Sequence, residues 1–148
     1  MKGFTLIESV VVIAILSVIA LASMNTITEF QRNAILSSAT QELGSTLRVA
    51  RQNSISGMVG PGETDSYFGV SLNGNSYQLV RYTTVPSTTT PVENHTIDAS
   101  LTVTPAGATV TFARITGIPN GAASMTLTRT GTTISKIISV NANGLISL

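Results

Sequence analysis

Met1-Lys2-Gly3-Phe4-Thr5-Leu6-Ile7-Glu8-Ser9-Val10-Val11-Val12-Ile13-Ala14-Ile15-Leu16-Ser17-Val18-Ile19-Ala20-Leu21-Ala22-Ser23-Met24 opens the chain. Between Phe4 and Met24 the only charged residue is Glu8. As a helix rising about 1.5 Å per residue, this segment is about 31 Å long, enough to cross a bilayer core of about 30 Å. No Pro and no Gly after Gly3 interrupts it. Lys2, the one cation before the run, places the N-terminus on the cytoplasmic side and sends the rest of the chain outside. A carboxylate inside an apolar span costs a few kcal/mol at the membrane centre and less near its edge, so Glu8 calls for a partner. Two plainer readings stay open. Ala20-Leu21-Ala22 resembles a small-residue cleavage site of a secretory signal, and Glu8 also fits an acidic residue tolerated at the membrane surface.

Past Met24 the pattern turns amphipathic. Ile27, Phe30, Ala34, Ala39, Leu43, Leu47 and Ala50 recur mostly at three- and four-residue spacing, with Glu29, Arg32, Gln41, Glu42, Arg48 and Arg51 between them. The spacing predicts one helix from about Phe4 to about Asn53, roughly 75 Å long. Gly44 is a weak point, worth about 1 kcal/mol against Ala. Arg48 and Arg51 share a helical face, either solvated or available to acidic groups of a neighbouring subunit.

The remaining residues read as a β-rich head over 55–148. Breakers across Ser56 to Gly62 end the helix. Strands are expected at Tyr67–Leu72 and Ser76–Tyr82, joined by a hairpin turn at Asn73-Gly74-Asn75. Thr83 to Asn94, with Pro86 and Pro91, reads as a polar surface loop. Further strands are expected over Thr96–Thr104, Thr109–Phe112, Ser124–Arg129, Thr133–Val140 and Leu145–Leu148. The fold class is α+β: a long N-terminal helix packed on a small antiparallel head.

Composition narrows the chemistry. Charged residues are 10% of the chain, the net charge is +1, and there is no Cys and no Trp. Thiol catalysis, disulfides and Cys-based metal sites are excluded. The single histidine, His95, lies near Asp98 and Ser100, but alternating strand neighbours point to opposite faces and make no triad. Glu63 and Asp65 fall short of the six to eight oxygens that a Ca²⁺ site takes. No glycine-rich phosphate motif occurs. No catalytic residue, metal site or cofactor is expected, and the chain does not read as an enzyme. Asn94-His95-Thr96 has the form of a glycosylation sequon.

Gly3-Phe4-Thr5-Leu6-Ile7-Glu8 followed by an unbroken apolar helix resembles the signal of type IV prepilins and type II secretion pseudopilins. The resemblance implies a pilin-like fold and four segments: a leader at 1–3, a transmembrane half-helix at 4–24, an amphipathic half at 25–54 and the head at 55–148. It implies cleavage between Gly3 and Phe4 by a membrane-embedded prepilin peptidase, and N-methylation of Phe4. It also implies that Glu8 acts in assembly, pairing with the freed amine of a neighbouring subunit. The implied partners are other pilin or pseudopilin subunits, the peptidase, an inner-membrane assembly platform and the membrane itself. The implied location is the inner membrane, single-pass, then the pilus or pseudopilus. Type IV pili, type II secretion systems and competence pili share this signal.

Leu47-Arg48-Val49-Ala50-Arg51 and Phe112-Ala113-Arg114-Ile115-Thr116-Gly117 are similar to segments of GspH/FimT-type minor pseudopilins. Some similar minor pilins capture DNA through arginines in a C-terminal strand, which gives the alternative of a DNA-uptake pilin. Leu145 and Ser147 stand at those positions here, and Arg114, Arg129 and Lys136 are not spaced to form one patch. Nucleic acid is therefore not an expected partner.

Overall fold

The structure, a computed structural model, describes residues 5–58, 65–84, 87–121 and 123–148, with the backbone but not the side chains of 22–26. Gly3, Phe4, Glu63 and the breakers from Val59 to Gly62 lie outside the described residues. The chain divides into two units, Met1–Ile35 and Leu36–Leu148.

One helix, α1, runs Leu6–Ile55. It passes through Gly44 without a break, and Gly44 carries a packing role. A Cβ there would sit 2.6 Å from Leu148 Cδ2, so the missing side chain makes room for that leucine. In the second unit the helix buries Leu36, Thr40, Leu43, Gly44, Thr46, Leu47, Ala50 and Ser54. The expected stripe holds for Leu43, Leu47 and Ala50, and Ala39 is half-buried. Ile27, Phe30 and Ala34 are exposed in the first unit. Three hydroxyls on the buried face return to their own helix: Thr40 donates to Leu36 O at 2.7 Å, Thr46 to Glu42 O at 3.1 Å and Ser54 to Ala50 O at 3.0 Å. That bond lets a polar residue occupy an apolar surface without an orphaned donor.

Eight strands follow: β1 Ser66–Asn73, β2 Ser76–Thr84, β3 Ser87–Thr96, β4 Leu101–Thr104, β5 Thr109–Phe112, β6 Ala123–Arg129, β7 Ser135–Val140 and β8 Ile146–Ser147. They form two four-stranded antiparallel sheets, ordered β3-β2-β1-β5 and β4-β6-β7-β8. The Asn73↔Ser76 pair closes the predicted hairpin around Gly74-Asn75. Each sheet turns alternate side chains inward. Phe68, Val70, Leu72, Tyr77, Leu79, Val110 and Phe112 come from the first, and Leu101, Val103, Met125, Leu127, Ile138, Val140 and Ile146 from the second. Together with Leu36, Leu43, Leu47 and Ala50 of the helix they make one core. Removing a leucine side chain from such a site costs about 2–5 kcal/mol.

Two sequence expectations are corrected. Thr83 to Asn94 is not a loop: Ser87–Thr96 is a full edge strand paired with β2. Its threonines are β-prone, and its composition looked loop-like because nearly all of it is exposed. Pro91 is tolerated beside a bulge, where the register shifts between Leu79 and Val80. Thr96–Thr104 is not one strand either. Ile97 is buried at the end of β3, and a turn over Asp98–Ser100 separates it from β4. There Ser100 donates from its hydroxyl at 2.6 Å and from its N–H at 2.8 Å to Asp98 Oδ1.

Gly144 is the tightest joint of the second sheet. Its φ is +77°, and a Cβ would lie 2.5 Å from Gly117 O and 2.8 Å from Arg51 Nε. Gly144→Ala is expected to lower unfolding free energy by roughly 2–3 kcal/mol in urea denaturation, from backbone strain plus overlap with fixed atoms. Gly44→Ala meets only the end of a movable leucine and gains helix propensity, so its change should stay within about 1 kcal/mol. The Ser100 hydroxyl, and next its N–H, hold the Asp98 carboxyl below its ordinary pKa of 3.8. A carboxylate with a depressed folded pKa contributes stability above its unfolded value and loses it as pH falls through the folded value. Asp98→Ala should therefore lose stability at neutral pH but approach the parent as pH falls below 3.8 and through the folded value, as read from urea midpoints across that range.

Candidate functional site

The first unit presents an apolar surface. Leu6, Ile7, Val10, Val11, Val12, Ile13, Ile15, Leu16, Val18, Ile19 and Leu21 are all exposed, with Leu6 at 83% and Val12, the least, at 46%. A helix that is apolar on every face has no preferred side to bury, which suits lipid or a bundle of like helices. Among the described residues, no helix is long and apolar enough to cross a membrane. The run with described side chains, Leu6 to Leu21, stops short of the roughly 20 residues that a span takes.

Within this shaft the polar groups divide into two kinds. Ser17 donates to Ile13 O at 2.8 Å and Ser9 reaches back to Thr5 O at 3.5 Å. These hydroxyls find their acceptors inside the helix. Glu8 has no such outlet, because a carboxylate only accepts and cannot donate back to a carbonyl of its own helix. No cation pairs with it among the described residues. It stands in the first turn of α1, where the exposed N–H groups and helix dipole favour negative charge. Glu8 is thus the one described side chain between Leu6 and Leu21 whose polarity demands something from outside the helix.

In the second unit the titratable groups serve to join elements. His95 sits on β3 and ties it to the helix. Its ring stacks on Tyr77, with centroids 4.8 Å apart and planes 6° from parallel. Nδ1 lies 2.9 Å from Glu42 Oε1 and Nε2 3.4 Å from Glu93 Oε2. The two carboxylates approach different ring nitrogens, so the three groups do not converge on a common point as metal ligands would. Among the described residues no cluster could hold a metal ion. Tyr77 fills the core beneath the histidine, and burial pushes its hydroxyl well above the usual tyrosine pKa. The sequence carried no sign of this clasp, since Glu42 and His95 are 53 residues apart.

Arg48 and Arg51 take different roles. Arg48 is exposed. Arg51 is half-buried and lies against Gly117 and Gly144, its Nε 3.4 Å from Gly117 O. The cations weighed for nucleic acid are separated by their duties. Arg129 is buried, Lys136 donates to Ser37 Oγ at 3.1 Å, and Arg114 pairs with Asp65 at 3.3 Å. Phosphate binding draws on clustered free cations, and these three are each held by the head itself.

Residues 1–24 match the family of the prokaryotic N-terminal methylation motif. The chain therefore carries a prepilin-type signal, which supports a subunit of the pilin and pseudopilin kind, joined to other such subunits after peptidase processing. No curated protein and no solved structure matches the chain. The long helix followed by antiparallel strands is the α+β architecture that the signal leads one to expect.

The clasp has a measurable weight. His95→Ala removes a ring stack and a charge-assisted hydrogen bond and should cost about 1–2 kcal/mol in urea denaturation. Glu42→Gln keeps the stack and should cost less than about 1 kcal/mol.

Proposed function

We propose that this chain is a structural subunit, a minor pilin or pseudopilin of the GspH/FimT type, assembled into a type IV pilus or a type II secretion pseudopilus. The observation that carries the reading is the methylation motif at residues 1–24, within which Leu6–Leu21 form an exposed, apolar helical run whose one carboxylate has no cation partner among the described residues. The prepilin peptidase cuts between Gly3 and Phe4, and the new N-terminal Phe4 is methylated. Before assembly the segment 4–24 anchors the chain in the inner membrane, single-pass, with its N-terminus cytoplasmic and the head outside. The assembly platform then moves the shaft from lipid into a filament of like helices.

Glu8 sets the register of that step. Lipid offers a carboxylate nothing, whereas a neighbouring subunit offers the positive amine at its own Phe4. A pair of opposite charges in an apolar bundle relieves a cost of a few kcal/mol for each partner. The relief occurs at one axial offset only, so the ion pair selects a position along the filament more than it adds strength. The head has no catalytic duty in this scheme.

Two measurements test the reading. Intact-mass analysis of the protein purified from a host with the peptidase should find a chain starting at N-methylated Phe4, and Gly3→Val should leave it unprocessed. Glu8→Ala should leave membrane association and processing intact while its recovery in sheared filaments falls at least tenfold. Normal incorporation of Glu8→Ala removes the role of the carboxylate, and a mature chain starting elsewhere removes the whole reading.

A further inference from the structure

The outer face of the first sheet carries a cleft that the assembly role does not use. Tyr67 and Tyr82 are cross-strand partners on β1 and β2. Their rings stack 5.2 Å apart and 13° from parallel. Tyr82 covers one face of Tyr67. Tyr67 also lines a cleft of about 450 Å³ beside the end of β5. It is lined by Tyr67, Thr111, Arg114, Asp65, Ile118 and Asn120 among others, but not by Tyr82. This size lies in the range of small-molecule sites.

The wall of the cleft is built at a conformational cost. Ile115 has φ +69°, a left-handed conformation that β-branched residues rarely adopt, and its side chain is 69% exposed. It gains no burial from the strain, so the surrounding bonds must impose it. They are Ile115 N–H to Ser54 O at 2.9 Å, Ala113 N–H to Ile118 O at 2.7 Å and Gly117 N–H to Ala113 O at 2.9 Å. The last turn of the helix and the end of β5 together hold residues 113–118 in one shape. Strain of this kind, in an exposed loop that rims a cleft, is characteristic of binding sites.

The polar groups in the cleft keep unused capacity. Arg114 Nη1 donates to Asp65 Oδ1 at 3.3 Å, and Thr84 donates to Asp65 Oδ2 at 3.4 Å. Arg114 Nε is buried and has no hydrogen-bond partner among the described residues. Asp65 thus retains lone pairs on both oxygens, and the guanidinium retains donors. Asn120 is exposed, with its amide adding a donor and an acceptor. The pairing of Asp65 with Arg114 leaves the cleft with no net charge from these two, which disfavours a simple anion or cation.

The geometry points to a saccharide site: the cleft takes one pyranose ring, laid against the Tyr67 ring that lines it. The face of an aromatic ring is electron-rich and attracts the weakly positive C–H groups on one side of a sugar ring. Asp65, Arg114 and Asn120 then meet vicinal hydroxyls, each of which both donates and accepts. Ile118 offers apolar contact on the remaining wall, and is half exposed at 50%. A short proline-rich peptide would use the tyrosine face as well, but would leave most of these donors and acceptors unmatched.

Saturation-transfer NMR on the purified full-length chain, held in a zwitterionic detergent free of sugar groups, tests this. The probes are the methyl glycosides of glucose, galactose and N-acetylglucosamine, with a decaproline peptide beside them. At least one glycoside should receive saturation, strongest on the protons of one ring face, with a Kd on the order of millimolar. Tyr67→Leu and Asn120→Ala should each weaken it at least fivefold, while Asn141→Ala, on the other sheet, should not. Circular dichroism establishes that each variant is folded. Failure of all three glycosides with the folded parent overturns the proposal, as does transfer unchanged in both folded cleft variants. Binding of decaproline without any glycoside also overturns it, in favour of a peptide groove.

Discussion

The head depends on one stripe of the helix meeting two sheets at once. Leu36, Leu43, Leu47 and Ala50 share a core with the inward residues of both four-stranded sheets. Each sheet has one apolar face and one polar, threonine-rich face, so each needs a cover. A head of this size cannot bury enough surface without the helix, which makes residues 36–55 part of the domain's interior and not a stalk beneath it. The smaller devices serve that contact. Ser54 shows this best: its hydroxyl accepts the Phe68 N–H at 2.9 Å and its carbonyl accepts the Ile115 N–H, so one residue joins the helix end to β1 and to the rim of the cleft.

The same helix solves a different problem before Ile35. There the side chains of Leu6–Leu21 are exposed, and among the described residues nothing covers the apolar ones. Serine hydroxyls are returned to the backbone, which keeps the surface compatible with an apolar environment. Glu8 is the exception, and its isolation is what gives it meaning. A run with several charges would have several ways to pair, whereas Leu6–Leu21 carries one carboxylate and has one.

Much of this was legible in the residues. The uninterrupted helix, its end within two residues of Asn53, the Asn73 hairpin and the strands ending at Phe112, Arg129 and Val140 follow from periodicity and turn chemistry. The edge strand β3 was not, because exposed threonines on a strand and in a loop have the same composition, and only the pairing with β2 tells them apart. The division into two sheets was also hidden, since alternation reports which face is buried but not which neighbour is paired. Of the candidate site, Glu8 stood out as a charge in an apolar run. The Glu42–His95 clasp and the cleft beside Tyr67 did not, because both bring together residues from distant parts of the chain. The packing role of Gly44 was not legible, and the cause is spatial: Leu148 lies over it.

The free edge of the first sheet has a further consequence. Strand β3 is ten residues long and almost wholly exposed, a shape that ordinarily invites another strand to add to it. Pro91 supplies no N–H, the offset at Leu79/Val80 twists the line, and Glu93 brings charge to the rim. Heads crowded side by side would therefore find no continuous ladder to extend from one molecule to the next. Order among neighbours would have to be imposed from the shaft, and tangling into amyloid-like aggregates at the periphery would be discouraged by design of the border itself.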